Sequence, residues 1–565
     1  MPQAETPAVL SPVDNAGEKD VGSCVLELGP EDSPTESIDK NAQAGVQQVE
    51  AIATVWSKKT LIVVYIFIWI AYFVMLMQQA ASTALVPYVA SAFLLHSLTP
   101  TVSILSSVIG GVCNLTVAKI IDVFGRPHGY AAALVISTLG LVMMAATTSV
   151  EMYASAQVFW TIGNNALGYI LSILVADTTS LRNRGVMLAL TASPNMITIW
   201  LGGPISEVFL KGPGWQWCYG AFSIIMPVLC IPVYGVLAHN CSKAIRQGVI
   251  PGLKPTRTTW QSFLHYSREF DVVGLLLITA GLALFLLPFN LYGYQPLGWR
   301  SPLILCLLVL GVVLMILFAA WERFFAPTTF IPYDVLLNRN MIGACGIGFA
   351  LFFSYFTWFS YFSSALQVVY GASIAEASYI SQISGLGGGI SAIATGVVIR
   401  YTGRYKAITL YGAVPTYSLF TGLMIYFQGK GKGIGYIVMC QIFISFASGV
   451  MTTTPTIAAM SAISHQNIAV VVAVVSMFSS IGGAIGLTVS GAIWQASFPV
   501  KLAEYLPLDA LEDLLNIYAS LEVQLSYPVG TPVRIATQRA YADSQSLLLI
   551  AGTSIWVVGF AATAL

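Results

Sequence analysis

The side chains in this chain that could do chemistry fall into three groups. Two carboxylates, Glu207 and Glu376, stand at the ends of long apolar runs, where partial burial would let a carboxyl titrate near working pH and carry a proton; the competing reading is that they anchor helix ends. A second group can form ion pairs beside tight turns: Asp122, Gly125, Arg126, Asp177, Arg182, Arg184, Arg400, Gly403 and Arg404. The third is neutral and sits inside apolar runs: Gln78, Gln79, Asn164, Asn165, Asn195, Tyr355 and Trp358. Such groups can hydrogen-bond a ligand, or they can bridge two helices within a bundle.

Other chemistry has no visible carrier. There is no phosphate-binding loop, nucleophile elbow or metal motif in a segment that could form an aqueous domain, so an enzyme is not expected. No cofactor and no protein-held metal are expected either. The eight cysteines are scattered, without a CxxC pair, and read as small packing residues. No concentrated basic face is present for nucleic acid.

The elements that must position these groups follow from composition. Only 9% of the 565 residues are charged and 56% are hydrophobic, whereas a soluble domain carries roughly 25% charged residues. That implies an all-α membrane protein. At about 20 apolar residues per crossing, fourteen spans are expected: 60–82, 99–121, 128–148, 154–176, 185–205, 217–238, 271–291, 301–321, 341–364, 376–399, 406–427, 434–456, 467–490 and 544–565. Residues 1–57 precede them as a disordered acidic leader, with ten acids and two lysines in the first 50 positions. With the leader cytosolic, the inner segments carry 16 Lys and Arg from Lys58 onward against seven outside, which is the positive-inside bias. Both termini are then cytosolic. Neither sequon, Asn114-Leu-Thr116 or Asn240-Cys-Ser242, should carry a glycan. The outer segment 491–543 is long, and its leucines between Leu502 and Leu525 have the spacing of an amphipathic helix lying on the outer face.

Two inner loops match. Ala118-Lys-Ile-Ile-Asp122-Val-Phe-Gly125-Arg126 follows the second span, and Gly396-Val-Val-Ile-Arg400-Tyr-Thr-Gly403-Arg404 follows the tenth. Both read small-x-x-x-charge-x-x-Gly-Arg, which resembles the loop signature of the major facilitator superfamily. The copies are eight spans apart where adjacent six-helix halves would give six. The expected organisation is therefore a six-helix half at 58–238, a loop and two extra helices at 239–340, and a second six-helix half at 341–565. Parallel halves place a substrate site at their interface near the midplane. Asp122, Arg126 and Asp177 are expected to form an inner latch, with Arg182 and Arg184 beside it.

Several stretches resemble the fungal siderophore-iron transporters of that superfamily: Val175-Ala-Asp177-Thr-Thr-Ser-Leu-Arg182-Asn183-Arg184-Gly185, Ser193-Pro194, Gly203-Pro204-Ile-Ser-Glu207, Phe270-Asp271-Val-Val-Gly274 and Trp321-Glu322. The resemblance runs over roughly 60–545 and implies uptake of ferric siderophores coupled to inward proton movement, at the plasma membrane or in endosomal vesicles. Family members usually continue past the last helix, whereas this chain ends at Leu565. No expected span carries Asp, Glu, Lys, Arg or His in its central third, so the cavity should be neutral. A neutral cavity favours a ferric tris-hydroxamate, whose three ligand charges cancel those of Fe(III), over a tri-anionic catecholate. The protein is expected to act as a monomer in the bilayer, with iron bound only through its chelator. A drug:proton antiporter would share the fold, but its usual Gly-Pro-x-x-Gly-Gly element reads Gly203-Pro204-Ile-Ser-Glu207-Val208 here. A nutrient-sensing transceptor acting through the acidic leader is the remaining alternative.

Overall fold

The apolar runs fold as long helices because only a helix satisfies its backbone internally in lipid. The computed structural model describes residues 58–179, 187, 190, 191, 193–246, 268, 271–326, 337–428, 432–461 and 468–564. The leader lies outside them. Among the described residues there are helices and turns and no strands. We number the long helices α1 Lys58–Ala92, α2 Thr99–Phe124, α3 Arg126–Ala145, α4 Val150–Thr178, α5 Pro194–Lys211, α6 Trp215–Arg246, α7 Val272–Leu286, α8 Pro302–Phe324, α9 Arg339–Phe359, α10 Ile374–Thr402, α11 Tyr405–Phe427, α12 Ile434–Ser461, α13 Ile468–Tyr505 and α14 Pro532–Ser554. Each expected span overlaps one of these, although the fifth expected span begins nine residues before α5 and the last continues past α14 onto the short helix Trp556–Ala564. Twelve of the helices are long and apolar enough to cross a bilayer; α2 and α5 are not among the twelve.

Buried apolar residues gather in two main clusters. One draws on α1, α3, α4 and α6, with Tyr130, Tyr153, Trp160 and Phe222 inside it. The other draws mainly on α9 to α14, with Trp358, Tyr417, Trp494, Phe498 and Trp556. Between these groups α2 packs on α13 and α5 packs on α10. Small residues allow both crossings: a Cβ added at Gly203 would lie 2.7 Å from Ser378 Cβ, and one at Gly111 would overlap Ser480. Glycine also permits the α9–α13 crossing, since a Cβ at Gly486 would stand 2.5 Å from Phe353 O on α9. The glycines of the run Gly385–Gly389 divide between packing and cavity. Gly387 abuts Ser445 of α12, whereas Gly385 and Gly389 face a cavity.

Helices α7 and α8 pair with each other, and α7 also packs on α2 and α13. Two motif residues meet in this pair. Trp321 Nε1 donates to Asp271 Oδ1 at 2.8 Å, and the same oxygen accepts the Gly274 amide at 3.2 Å, capping α7. Asp271 is 2% exposed, so the indole supplies a hydrogen bond that water cannot reach.

The segment 491–543 differs from expectation. Helix α13 runs 15 residues past position 490 to Tyr505, and α14 begins at Pro532 rather than 544. Pro507 and the extended backbone at Ser520 break the expected amphipathic helix into short pieces: Leu508–Asp513, Leu514–Ala519 and Leu521–Ser526. Its leucines also divide. Leu502, Leu506, Ile517 and Leu521 are buried in the second cluster, while Leu508 and Leu515 face outward. The segment therefore folds onto the helices instead of presenting one apolar stripe to lipid.

Candidate substrate cavity and its closure

Between the two helix groups lie three adjoining cavities of about 270, 820 and 850 Å³, and Gln79 of α1 lines all three. Tyr72, Leu76, Gln79 and Thr83 project from one face of α1 because three- and four-residue steps return to the same side of a helix. On α10 the wall repeats the pattern with Ser378, Ser381, Gln382, Gly385 and Gly389. Tyr72 OH reaches Ser172 Oγ at 2.7 Å and donates to Gly168 O at 2.9 Å, fixing its ring on α4. Tyr355 stacks on Phe359 with ring centroids 4.5 Å apart, forming an aromatic wall on α9. Among the described residues, no Asp, Glu, Lys, Arg or His lines any of the three cavities. The walls offer hydroxyls, amides and aromatic faces.

Of the residues expected at a substrate site, Gln79, Asn164, Asn165, Asn195 and Tyr355 stand on these walls. Gln78 and Trp358 do not. Gln78 is turned about 100° from Gln79 by helical geometry, is 1% exposed, and donates to Ser82 Oγ at 2.6 Å. Trp358 is fully buried and meets Tyr355 edge-on at 5.5 Å, so it supports the wall from behind. Sequence reading missed Gln382, Gln157 and Tyr72, all on cavity walls. The usable signal was the three- and four-residue recurrence of polar or small side chains along α1 and α10.

The two carboxylates expected to carry protons have other occupations. Glu207 pairs with Lys211 at 2.6 Å across one turn of α5. Glu376 is exposed and closes a capping box with Ser373, accepting the Ser373 amide at 2.8 Å while its own amide reaches Ser373 Oγ at 3.2 Å. Neither lines the cavities. The premise of partial burial fails for Glu376, and Glu207 is ion-paired with Lys211.

At the Lys58 end, the two matching loops share a turn. Gly125 (φ +83°) joins α2 to α3, and Gly403 (φ +65°) ends α10, both in backbone conformations that favour glycine. Arg126 is buried at the start of α3 and Arg404 is exposed. Arg182 and Arg184 lie outside the described residues, as do the side chains of Asp122, Asp177 and Arg400, so the expected latch falls outside the description.

The opposite end is closed by a hydrogen-bonded network. Tyr88 of α1 bonds Gln367 of the short helix Phe362–Tyr370, and Arg534 of α14 donates to the Gln367 carbonyl at 3.1 Å and to the Gln524 carbonyl at 2.6 Å. Tyr541 donates to Gln524 Oε1 at 2.7 Å, the Leu521 amide to Ser91 Oγ at 3.0 Å, and Tyr361 to the Ser97 carbonyl at 2.7 Å. Rings seal the spaces between: Tyr361 stacks on Trp494 at 4.0 Å, and Trp494 on Phe498 at 4.4 Å. His96 sits inside this network, and burial pushes its imidazole down from 6.5 to about 4. None of these contacts was legible beforehand, because partners such as His96 and Tyr541 are 445 residues apart.

Comparison with known proteins agrees with this architecture. The Major Facilitator Superfamily model matches residues 68–326. "MFS siderochrome iron transporter 1" of Ajellomyces capsulatus is 49% identical over 94% of this chain and 90% of its own length. "Siderophore iron transporter mirB" of Emericella nidulans is 40% identical over 99% and 92%, and "MFS siderochrome iron transporter D" of Aspergillus fumigatus 40% over 92% and 86%. Among solved structures, the inward-facing, occupied bacterial homologue of the human lysosomal transporter Spinster superposes with a TM-score of 0.54 at 12% identity, covering 90% of this chain and 98% of that one. With relatives this similar along nearly the whole chain, the protein is a multi-pass membrane protein and belongs to the fungal siderochrome iron transporters of the major facilitator superfamily.

Proposed function

We propose that this protein takes up ferric siderophores by alternating access, coupled to inward proton movement and with a preference for hydroxamate complexes. The observation that carries the reading is the cavity between the helix groups, whose walls hold hydroxyls, amides and aromatic rings but no charged side chain among the described residues. A ferric tris-hydroxamate is neutral and bulky. It asks for apolar contact and neutral hydrogen-bonding groups, and the walls of a cavity of this size provide both. A tri-anionic complex would instead enter a site with no cation to compensate it. The relatives named as siderophore and siderochrome iron transporters support the cargo class.

In this reading fourteen helices span the plasma membrane, with an endosomal membrane as the alternative. Both termini are cytosolic, residues 58–238 and 341–565 form the moving halves, and 239–340 contributes the two extra helices. Gln79, Asn164, Asn165, Asn195 and Tyr355 contact the complex. The latch of Asp122, Arg126 and Asp177 holds the Lys58 end when that end closes, and the protein works as a monomer. The test is uptake of a panel of radio-iron siderophores by a host lacking its own carriers. Hydroxamate complexes should accumulate, and a protonophore should abolish the accumulation. Transport of iron-enterobactin with none of ferrichrome- or fusarinine-type complexes would overturn the preference; accumulation indifferent to the protonophore would overturn the coupling.

A further inference from the structure

The closure opposite Lys58 contains a buried titratable side chain with no role in the account so far. His96 lies in the short turn His96–Leu98 between α1 and α2 and is 0% exposed. Its two ring nitrogens each face a hydroxyl, Nδ1 at 3.2 Å from Ser91 Oγ and Nε2 at 3.3 Å from Tyr541 Oη, and the Pro87 carbonyl also accepts from the ring. Both hydroxyls have already committed their own protons. Ser91 donates to the Pro87 carbonyl at 2.7 Å, and Tyr541 donates to Gln524 Oε1 at 2.7 Å. Each oxygen can therefore only accept from the ring. A neutral imidazole carries one N–H and serves one of them, whereas an imidazolium carries two and would serve both. The hydrogen-bond geometry invites a second proton that the dry surroundings refuse.

The groups around it explain the refusal. Tyr361 meets the ring edge-on at 5.9 Å. Ser97, next in the chain, bonds Tyr294 beyond α7, and Tyr518 of Leu514–Ala519 also reaches Ser97. From α1 comes Tyr88, from α13 the rings of Trp494 and Phe498, which are packed against Tyr541. The cation of the cluster is Arg534 on α14, and Glu522 acts on Tyr88. None of the described carboxylates pairs with His96.

We propose that His96 is the proton-responsive pin of this closure: neutral, it donates from Nε2 to Tyr541 and so ties the turn after α1 to α14, and protonated, it moves to water and the end opens. The inference rests on the alternating-access reading, with this end facing outside. The sign follows from linkage. Burial holds the closed-state group at about 4 against 6.5 when hydrated, so the closed state binds the proton more weakly. The group's contribution to closure is complete above about pH 6.5 and is lost as pH falls toward 4. Between pH 7.5 and 5.5 the ratio of open to closed molecules should rise about tenfold.

The experiment uses the full chain in cells without endogenous carriers. A cysteine at Ser360, on the cavity wall, is labelled from outside with a membrane-impermeant maleimide. Its rate is normalised to Leu508→Cys, an exposed site on the same end, which cancels the pH dependence of thiol reactivity. Normalised labelling should rise about tenfold from pH 7.5 to 5.5. It should change less than about twofold in His96→Gln, which keeps a polar group, and in His96→Phe, which keeps a ring. Using both variants guards against one failing to reach the surface. A wild-type rise that survives in either surface-expressed variant overturns the pin, as does a wild type with no rise. Radio-iron uptake in the same cells separates the two ideas: loss of protonophore sensitivity sinks the coupling reading alone, while sensitive uptake with a pH response independent of His96 sinks only the pin. An unlabelled Leu508→Cys would overturn the orientation beneath both.

Discussion

Gln79→Arg places one positive charge where the three cavities meet, and its effect separates a neutral cargo from a charged one. Gln79 is exposed to the cavity, so the new guanidinium remains hydrated and little folding energy is lost. The attraction between one cation and a tri-anionic ferric complex at a separation of about 8 Å is roughly 3 kcal/mol for an effective dielectric constant near 40, between the surface and bulk-water values. A neutral tris-hydroxamate gains nothing from that field and loses at most one amide hydrogen bond, about 0.5–1.5 kcal/mol. The ratio of catecholate to hydroxamate uptake should therefore rise by about 100-fold or more. The assay is competitive uptake of the two complexes carrying different iron isotopes, corrected for surface protein. An unchanged ratio would refute the reasoning, because Gln79 would then lie away from the transport path or a cation outside the described residues would already set the field.

Three further outcomes follow from the packing and capping. Gly486→Leu should lower the thermal unfolding temperature of the purified protein clearly, through an overpacking cost of about 1–3 kcal/mol at the α9–α13 seam; Gly389→Ala, with nothing within 4 Å of the new Cβ, should leave it nearly unmoved. Trp321→Phe removes the indole donor from buried Asp271 and should cost about 1–3 kcal/mol, visible as a lower thermal unfolding temperature of the purified protein. Glu376→Gln should keep protonophore-sensitive accumulation within about twofold of wild type, since the glutamine still caps α10 in the Ser373 box; complete loss of coupling at normal surface level would return Glu376 to the proton path.

The helices were legible because the bilayer imposes one length and one composition on every crossing. Hydropathy measures transfer into lipid, however, and so it misjudged polar stretches that bury against protein. The first turns of α14, with Arg534, Thr537 and Gln538, read as loop although Arg534 and Thr537 are buried. The continuation of α13 beyond position 490 was hidden for the same reason, with Trp494, Phe498 and Leu502 fully buried there. At the cavity, residue type was legible but direction was not. Gln78 and Gln79 are chemically identical, and only helical phase decides that one faces the cavity and the other Ser82. Trp358 failed similarly, its neighbour by one turn, Tyr355, taking the cavity side. Glu376 looked poised for protonation until Ser373, three residues earlier, proved to be its capping partner. The Ser373-x-x-Glu376 spacing was present in the sequence.

The central claim is a neutral cavity for a neutral complex, and equilibrium binding tests it most directly. Purified protein is titrated with a neutral ferric tris-hydroxamate and with a tri-anionic ferric tris-catecholate of similar size, at low and at high salt. The account predicts that the hydroxamate complex binds at least about tenfold more tightly, an advantage of about 1.4 kcal/mol, with little dependence on salt. Tighter binding of the tri-anion, weakening as salt is added, would reveal a cation in the site and contradict it.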